Sequence, residues 1–328
     1  MKKNLYRKKK SPWPLVLLAC MVAIALAVSL VLWILSQHFD QPGSGDASSA
    51  PPTTPTTTRA TLPVSFINNN TFSPHIILYD ATNRQVLYQK QAEEKCYPAS
   101  LTKLLTAIVA VENVPTDAEF TVGNEVYMVK PGSSSAYLTV GTRLTLSQLL
   151  QAMLLPSGND AAYVLAVQVG RQIAGDQNLS REEAKTLFIN KMNEKAIQLG
   201  CTGTSFVNPD GYHDDTHYTT AADMLKIAVC ALEHPLIAET VQMEKSNTKL
   251  LSGQRVNWVN SNKLLLTDTA YTYEGATGLK TGTTDEAGYC LAASATRDGR
   301  TSVVIVMGAE SENGRWDDSI GLLDISFQ

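Results

Sequence analysis

Residues 75–112 read HIILYDATNRQVLYQKQAEEKCYPASLTKLLTAIVAVE, and this stretch decides the architecture. His75–Ala81 and Gln85–Lys90 are rich in β-branched and aromatic residues. Thr82-Asn83-Arg84 separates them, so the pair reads as a hairpin. Pro98-Ala99-Ser100 then leads into Leu101–Glu112, whose apolar positions fit a buried helix. Two strands therefore feed directly into the helical part of the molecule.

Further along, amphipathic helices are expected over Thr145–Leu155, Asp160–Val169, Arg181–Leu199 and Ala221–Ala231. Strands return at Leu279–Thr283, Tyr289–Thr296 and Thr301–Gly308, the last two flanking the hairpin turn Arg297-Asp298-Gly299-Arg300. A final apolar stretch, Ile320–Phe327, follows them. The order predicts an α+β body: an antiparallel sheet built from both chain ends, with a helical block inserted.

The net charge of −4 over 328 residues hides a split. Lys2, Lys3, Arg7, Lys8, Lys9 and Lys10 precede any acid, and the first acid is Asp40. The rest of the chain holds 21 bases against 31 acids. A basic end on an acidic body suggests two environments and argues against nucleic acid as a partner.

Pro14–Leu35 is an almost wholly apolar run of 22 residues, and roughly 20 span a bilayer as a helix. The bases before it should remain cytoplasmic, leaving the body outside. A cleaved signal peptide has a shorter apolar core, of ~7–15 residues, and a small-residue cleavage site. Leu17-Leu18-Ala19-Cys20 resembles a lipoprotein box, but the apolar run continues well past Cys20. The expected organisation is a cytoplasmic segment (1–10), an uncleaved transmembrane anchor (11–37), a Pro/Thr/Ser-rich spacer (38–63) and a folded body (64–328). Gln41–Pro63 holds almost nothing to bury, so it should act as solvated distance between membrane and body.

Five cysteines (Cys20, Cys96, Cys201, Cys230, Cys290) are scattered with no Cys-x-x-Cys pair. That spacing argues against a disulfide scaffold and against zinc, and predicts mostly free, buried thiols.

Three short motifs carry chemistry. Ser100-Leu101-Thr102-Lys103 puts a serine and a lysine three apart, on one helix face. A serine hydroxyl needs an adjacent base, and a desolvated lysine can serve as one. The helix N-terminus adds N–H groups suited to an oxyanion. A capping serine beside an exposed lysine gives the same pattern, and Ser246-Asn247-Thr248-Lys249 repeats it. Ser157-Gly158-Asn159 lies in a break between helices, offering Ser157 as a proton relay and Asn159 as a substrate partner; a plain turn also accounts for it. Ser311-Glu312-Asn313 has the same form. Lys280-Thr281-Gly282 opens a strand whose edge suits an extended peptide, although an exposed edge lysine reads the same way. Neither repeat completes a second ordered set. The ordered triple is far more specific than any member.

On these motifs the body resembles the low-molecular-weight penicillin-binding proteins that act as D-alanyl-D-alanine carboxypeptidases. Tyr97-Pro98-Ala99, Pro156 through Ala162, Phe206 through Gly211, His217 through Asp223, and Gly278-Leu279 extend the likeness over roughly residues 65–328. The resemblance implies a β-lactamase/transpeptidase-like fold and a serine hydrolase acting on peptidoglycan stem peptides. It implies Ser100 as nucleophile, Lys103 as base, Ser157 and Asn159 as relay and positioning pair, and Lys280, Thr281 and Gly282 as substrate strand. The backbone N–H groups of Ser100 and Thr283 would form the oxyanion hole, with Thr283 standing where relatives often carry a ring-bearing residue. No cofactor or metal is implied, and β-lactams would be covalent inhibitors. His213 and His217 read as polar loop residues. Many relatives add a β-rich domain and a C-terminal membrane helix; here the expected anchor is N-terminal. A β-lactamase of class A would add a Glu-x-x-Leu-Asn segment, which is missing between Asn159 and Lys280. A transpeptidase or endopeptidase, or a non-catalytic wall-binding protein, are the other readings.

Overall fold

A computed structural model describes residues 71–328. The expected basic segment, anchor and spacer lie outside the described residues, as do residues 64–70 of the expected body. Among the described residues, no helix is long and apolar enough to cross a membrane.

The chain enters a sheet through β1 (His75–Asp80) and β2 (Gln85–Lys90). A 3-10 turn over Ala99–Leu101 runs into α1 (Thr102–Asn113). A small hairpin of β3 (Glu119–Thr121) and β4 (Arg143–Thr145) precedes α2 (Leu146–Leu154), α3 (Asn159–Ala174) and α4 (Arg181–Gln198). Next come α5 (Ala221–Glu233), α6 (Pro235–Val241) and a second hairpin, β5 (Lys245–Lys249) with β6 (Arg255–Val259). The chain finishes with β7 (Ala276–Thr284), β8 (Gly288–Arg297), β9 (Arg300–Ala309) and α7 (Glu312–Phe327).

The five-stranded antiparallel sheet has the order β2-β1-β9-β8-β7, so the first and last strands in sequence meet at its centre. The register pairs Ile77 with Ile305 and Leu78 with Val304. This is the α+β architecture expected from both chain ends. Alternate residues face opposite ways along a strand. Ile77, Val303 and Ile305 join the large core built with α1, α2, α3 and α5. Ile76, Leu78, Val304 and Val306 face the other way, onto Trp316, Leu322 and Leu323 of α7. Each such aliphatic side chain contributes about 1.5–3 kcal/mol when buried. Burial on both faces explains why β9 reads as a continuous apolar run.

Local signals set the helix starts. Thr145 and Ser180 cap α2 and α4 through reciprocal capping boxes with Gln148 and Glu183. The second Ser-x-x-Lys, Ser246–Lys249, lies in strand β5 and so has no shared helical face. Ser311 of the second Ser-x-Asn caps α7. The α7 helix is longer than the expected apolar stretch 320–327. Its polar start and two glycines, Gly314 and Gly321, dilute the apolar period. The four described cysteines are free, with Cys201, Cys230 and Cys290 buried.

Candidate active site

The turn before α1 is held from several sides. Ala99 has φ +46°, a left-handed backbone in the residue just before Ser100. The Thr102 hydroxyl donates to the Ala99 carbonyl at 2.8 Å, and His217 Nε2 lies 2.8 Å from that hydroxyl. The Val207 N–H donates to His217 Nδ1 at 3.1 Å. With Nδ1 accepting, Nε2 carries the proton, and a chain of donors runs from His217 through Thr102 to Ala99. Burial pushes the His217 imidazole down to about 4, against the opposing charge of Asp214, so it stays neutral. His217 does lie in a loop, as expected, but it is buried there and supports the nucleophile turn.

Two glycines allow the close fit. Gly211 has φ +82°, and a Cβ there would lie 1.8 Å from the Ala99 carbonyl oxygen. A Cβ on Gly282 would lie 3.0 Å from both Pro98 O and Ser100 N, so β7 rests against the turn itself.

Lys103 is wholly buried, and its Nζ donates to three acceptors: Ser100 Oγ at 2.8 Å, Asn159 Oδ1 at 2.7 Å and the Asp210 carbonyl at 2.6 Å. Those acceptors satisfy every N–H of an ammonium. Burial pulls the lysine down to about 8, with the charges of Asp210 and Asp160 opposing. Near neutrality about a tenth of the amine is therefore free base, able to accept a proton from the serine. Asp210 is itself buried, which pushes its carboxyl above the usual range against the pull of Lys103.

Ser157 is buried with φ +62°, in the break between α2 and α3. Among the described residues, no hydrogen bond joins its hydroxyl to Lys103 or Ser100. Asn159, at the first turn of α3, is fixed by its N–H to the Ser134 carbonyl at 2.9 Å. Lys280 and Thr281 lie buried in β7. Lys280 Nζ donates to the Thr281 carbonyl at 2.9 Å, and Thr281 Oγ1 meets Ser261 Oγ at 2.6 Å. Burial, then the charges of Lys103 and Arg315, hold Lys280 well below its ordinary value. The structure thus brings Ser100, Lys103 and Asn159 into direct contact, with Gly282 against the turn and Thr283 on the cleft wall.

A cleft of about 460 Å³ opens over Ser100, walled by Asn159, Ser134, Tyr212, His213 and Thr283. Two supports escaped the sequence motifs. Asp160 accepts the N–H groups of Ala136 and Leu138 and the Ser135 hydroxyl, at 2.8, 2.9 and 2.8 Å, pinning the 131–138 wall to α3. Arg315, from α7, donates to Thr283 Oγ1 at 3.1 Å and the Gly282 carbonyl at 3.4 Å. Glu312 holds the guanidinium at 3.3 Å and is itself paired with Lys263 at 2.7 Å. Only the adjacency of Asp160 to the Ser-x-Asn motif could have pointed to the first; Arg315 sits in a helix whose own Ser-x-Asn, at 311–313, serves as its cap.

Residues 64–311 match the family described as D-alanyl-D-alanine carboxypeptidase. The chain is similar to the D-alanyl-D-alanine carboxypeptidase of Streptomyces sp. (strain K15), with 36% identity over 250 residues, covering 74% of this chain and 82% of that one. It is 31% identical over 255 residues to the D-alanyl-D-alanine carboxypeptidase DacF of Bacillus subtilis (strain 168), covering 76% of this chain but only 61% of that relative. The crystal structure of the Streptomyces K15 DD-transpeptidase aligns with a TM-score of 0.71 at 32% identity, over 78% of this chain and 97% of that one.

Proposed function

The chain belongs to the D-alanyl-D-alanine carboxypeptidase family, and from that membership we propose how its residues perform the reaction. It is a serine-type hydrolase that removes the terminal D-Ala from peptidoglycan stem peptides. Lys103, as free base, takes the proton of Ser100, whose Oγ attacks the carbonyl carbon of the D-Ala-D-Ala bond. The oxyanion rests between the N–H groups of Ser100 and Thr283, where each donor contributes about 10²–10³-fold. The D-alanine nitrogen leaves after taking back the proton that Lys103 accepted, with Ser157 as relay once bound substrate brings its hydroxyl within reach of Lys103. Water then hydrolyses the acyl-enzyme, with Lys103 accepting its proton. Asn159 orients the substrate amide, while Lys280, Thr281 and Gly282 hold its C-terminal end. The observation that carries this reading is the 2.8 Å contact between Lys103 Nζ and Ser100 Oγ in a site that draws the lysine to about 8.

The reading places the body (64–328) outside the bacterial cell membrane, on the 38–63 spacer, with residues 11–37 as a single-pass anchor and residues 1–10 in the cytoplasm. Its support is the 22-residue apolar run and the six bases before it. β-Lactams acylate Ser100 in place of the peptide. The similar Streptomyces K15 structure is that of a DD-transpeptidase, which favours a second reading, in which an amine rather than water takes the acyl group.

The test incubates the full chain with diacetyl-Lys-D-Ala-D-Ala and with a labelled penicillin. Release of D-Ala, with a stable adduct on Ser100 that Ser100→Ala abolishes, is the expected result. Rapid penicillin turnover without D-Ala release would make the protein a lactamase, and a product carrying an added amine would make it a transpeptidase.

A further inference from the structure

The Ser100 end of α1 faces the cleft; its other end lies beside a different group of side chains. Glu112 is nine residues beyond Lys103 on that helix, about 13 Å along its axis. Cys230 sits in the last turn of α5, and His234 directly follows that helix. The three donor atoms all lie within 4.8 Å of one another. His234 Nε2 is 3.3 Å from Glu112 Oε1, and Cys230 Sγ is 3.9 Å from His234 Nε2.

These separations have a chemical meaning. A tetrahedral zinc ion binds sulfur at about 2.3 Å and nitrogen or oxygen at about 2.0–2.2 Å, which sets its ligand atoms about 3.3–3.6 Å apart. The two measured distances bracket that range within a few tenths of an ångström. His234 leaves the helix with extended backbone, and its ring still comes back to Cys230 in the last turn. The α5 C-terminus directs its carbonyl ends, the negative pole of the helix, toward the same place. Glu112 and His234 reach solvent, so an ion has an entry path. Lys195 donates to Glu112 Oε1 at 2.6 Å. A hydrogen bond of that kind orients a ligating carboxylate. The same ammonium repels a hard cation held by oxygen and charge alone, so affinity must come from sulfur and nitrogen.

We propose that Glu112, Cys230 and His234 form a non-catalytic site for a borderline-soft divalent cation of the zinc class, with a fourth position open to water. On binding, the Cys230 thiol releases its proton to solvent and its sulfur bonds to the ion, while His234 binds as neutral imidazole. The ion cross-links the outer end of the nucleophile helix to the α5–α6 corner. A search for Cys-x-x-Cys pairs misses this site because its third ligand comes from a helix more than a hundred residues earlier.

The experiment strips the full chain with a chelator and titrates it with zinc chloride against a chromophoric competitor, and with cobalt(II) as a spectroscopic substitute. One equivalent of zinc should bind, raising the melting temperature, and cobalt should give a thiolate charge-transfer band. Cys230→Ser and His234→Ala should each weaken binding at least tenfold and remove or shift that band. Their circular dichroism and penicillin acylation without metal should stay unchanged. If Cys230→Ser fails to fold, His234→Ala and Glu112→Gln, at a half-buried and an exposed side chain, carry the same test. Failure of the folded wild-type chain to take up zinc overturns the proposal. So does uptake that survives the loss of His234 undiminished.

Discussion

His217 Nε2 and Thr102 Oγ1 lie 2.8 Å apart, and through that contact a buried imidazole holds the carbonyl one residue before the candidate nucleophile. His217→Gln should slow acylation of Ser100 by about tenfold with little change in KM, because the turn loosens while the cleft walls remain. It should also alter the pH dependence of stability. The native imidazole titrates at about 4, against about 6.5 unfolded. Between those values the unfolded chain binds the extra proton, so stability falls as pH drops from about 6.5 toward 4. The full difference corresponds to about 3 kcal/mol. Melting temperatures of wild type and His217→Gln across that window check the point; parallel curves would refute it.

Lys103 sets a second pH dependence, on rate. In the proposed reaction its free base is the active form, and burial lowers it to about 8, so kcat/KM should climb with pH and level off above that value. Lys103→Ala should cost about 10²–10⁴-fold in acylation rate. Lys103→Arg should be as poor, because a guanidinium stays protonated. Stopped-flow acylation by a labelled penicillin reads both.

Gly282→Ala tests the approach of β7 to the turn. The new methyl would lie 3.0 Å from Pro98 O and Ser100 N, both backbone atoms. The strand must shift by a few tenths of an ångström, and misplacement approaching 1 Å costs about 10²-fold. A fall in kcat of about tenfold or more, with an unchanged urea midpoint, is expected.

Asp160 tests the opposite wall. Its buried carboxylate accepts from Ala136, Leu138 and Ser135. Hydrogen bonds to a charged group are each worth about 1.5–3 kcal/mol. Asp160→Asn turns one acceptor oxygen into a donor facing donors, so it should lower stability by about 3 kcal/mol and raise KM. Urea unfolding and peptide kinetics measure the two effects separately.

Much of this molecule was readable in its sequence, and the parts that were not have physical reasons. Strands β1 and β9 announced themselves because they are buried and rich in β-branched residues, and α1 and α2 because their apolar faces are wide. Ser100, Lys103 and Asn159, which meet in the structure, were singled out because short motif spacings survive in one dimension. Arg315 and His217 act across the fold, on Thr283 and Thr102, and no local spacing records such contacts. The α7 helix was read only as an apolar tail. Yet a β9 strand apolar at consecutive positions, Val303 through Met307, already demands a second covering layer. The hairpin of β5 and β6 stayed hidden because its strands are short and largely polar, Lys245–Lys249 above all.

The pairing of Ile77 with Ile305 has a consequence in time. Joining the first strand to the last closes a loop that contains nearly the whole body, and such closure is late and slow compared with helix formation. The turn bearing Ser100 leans on β7 through Gly282, and β7 is held in place by β8 and β9. The turn bearing Ser100 thus reaches its final form only when the last strands of the chain have joined the sheet.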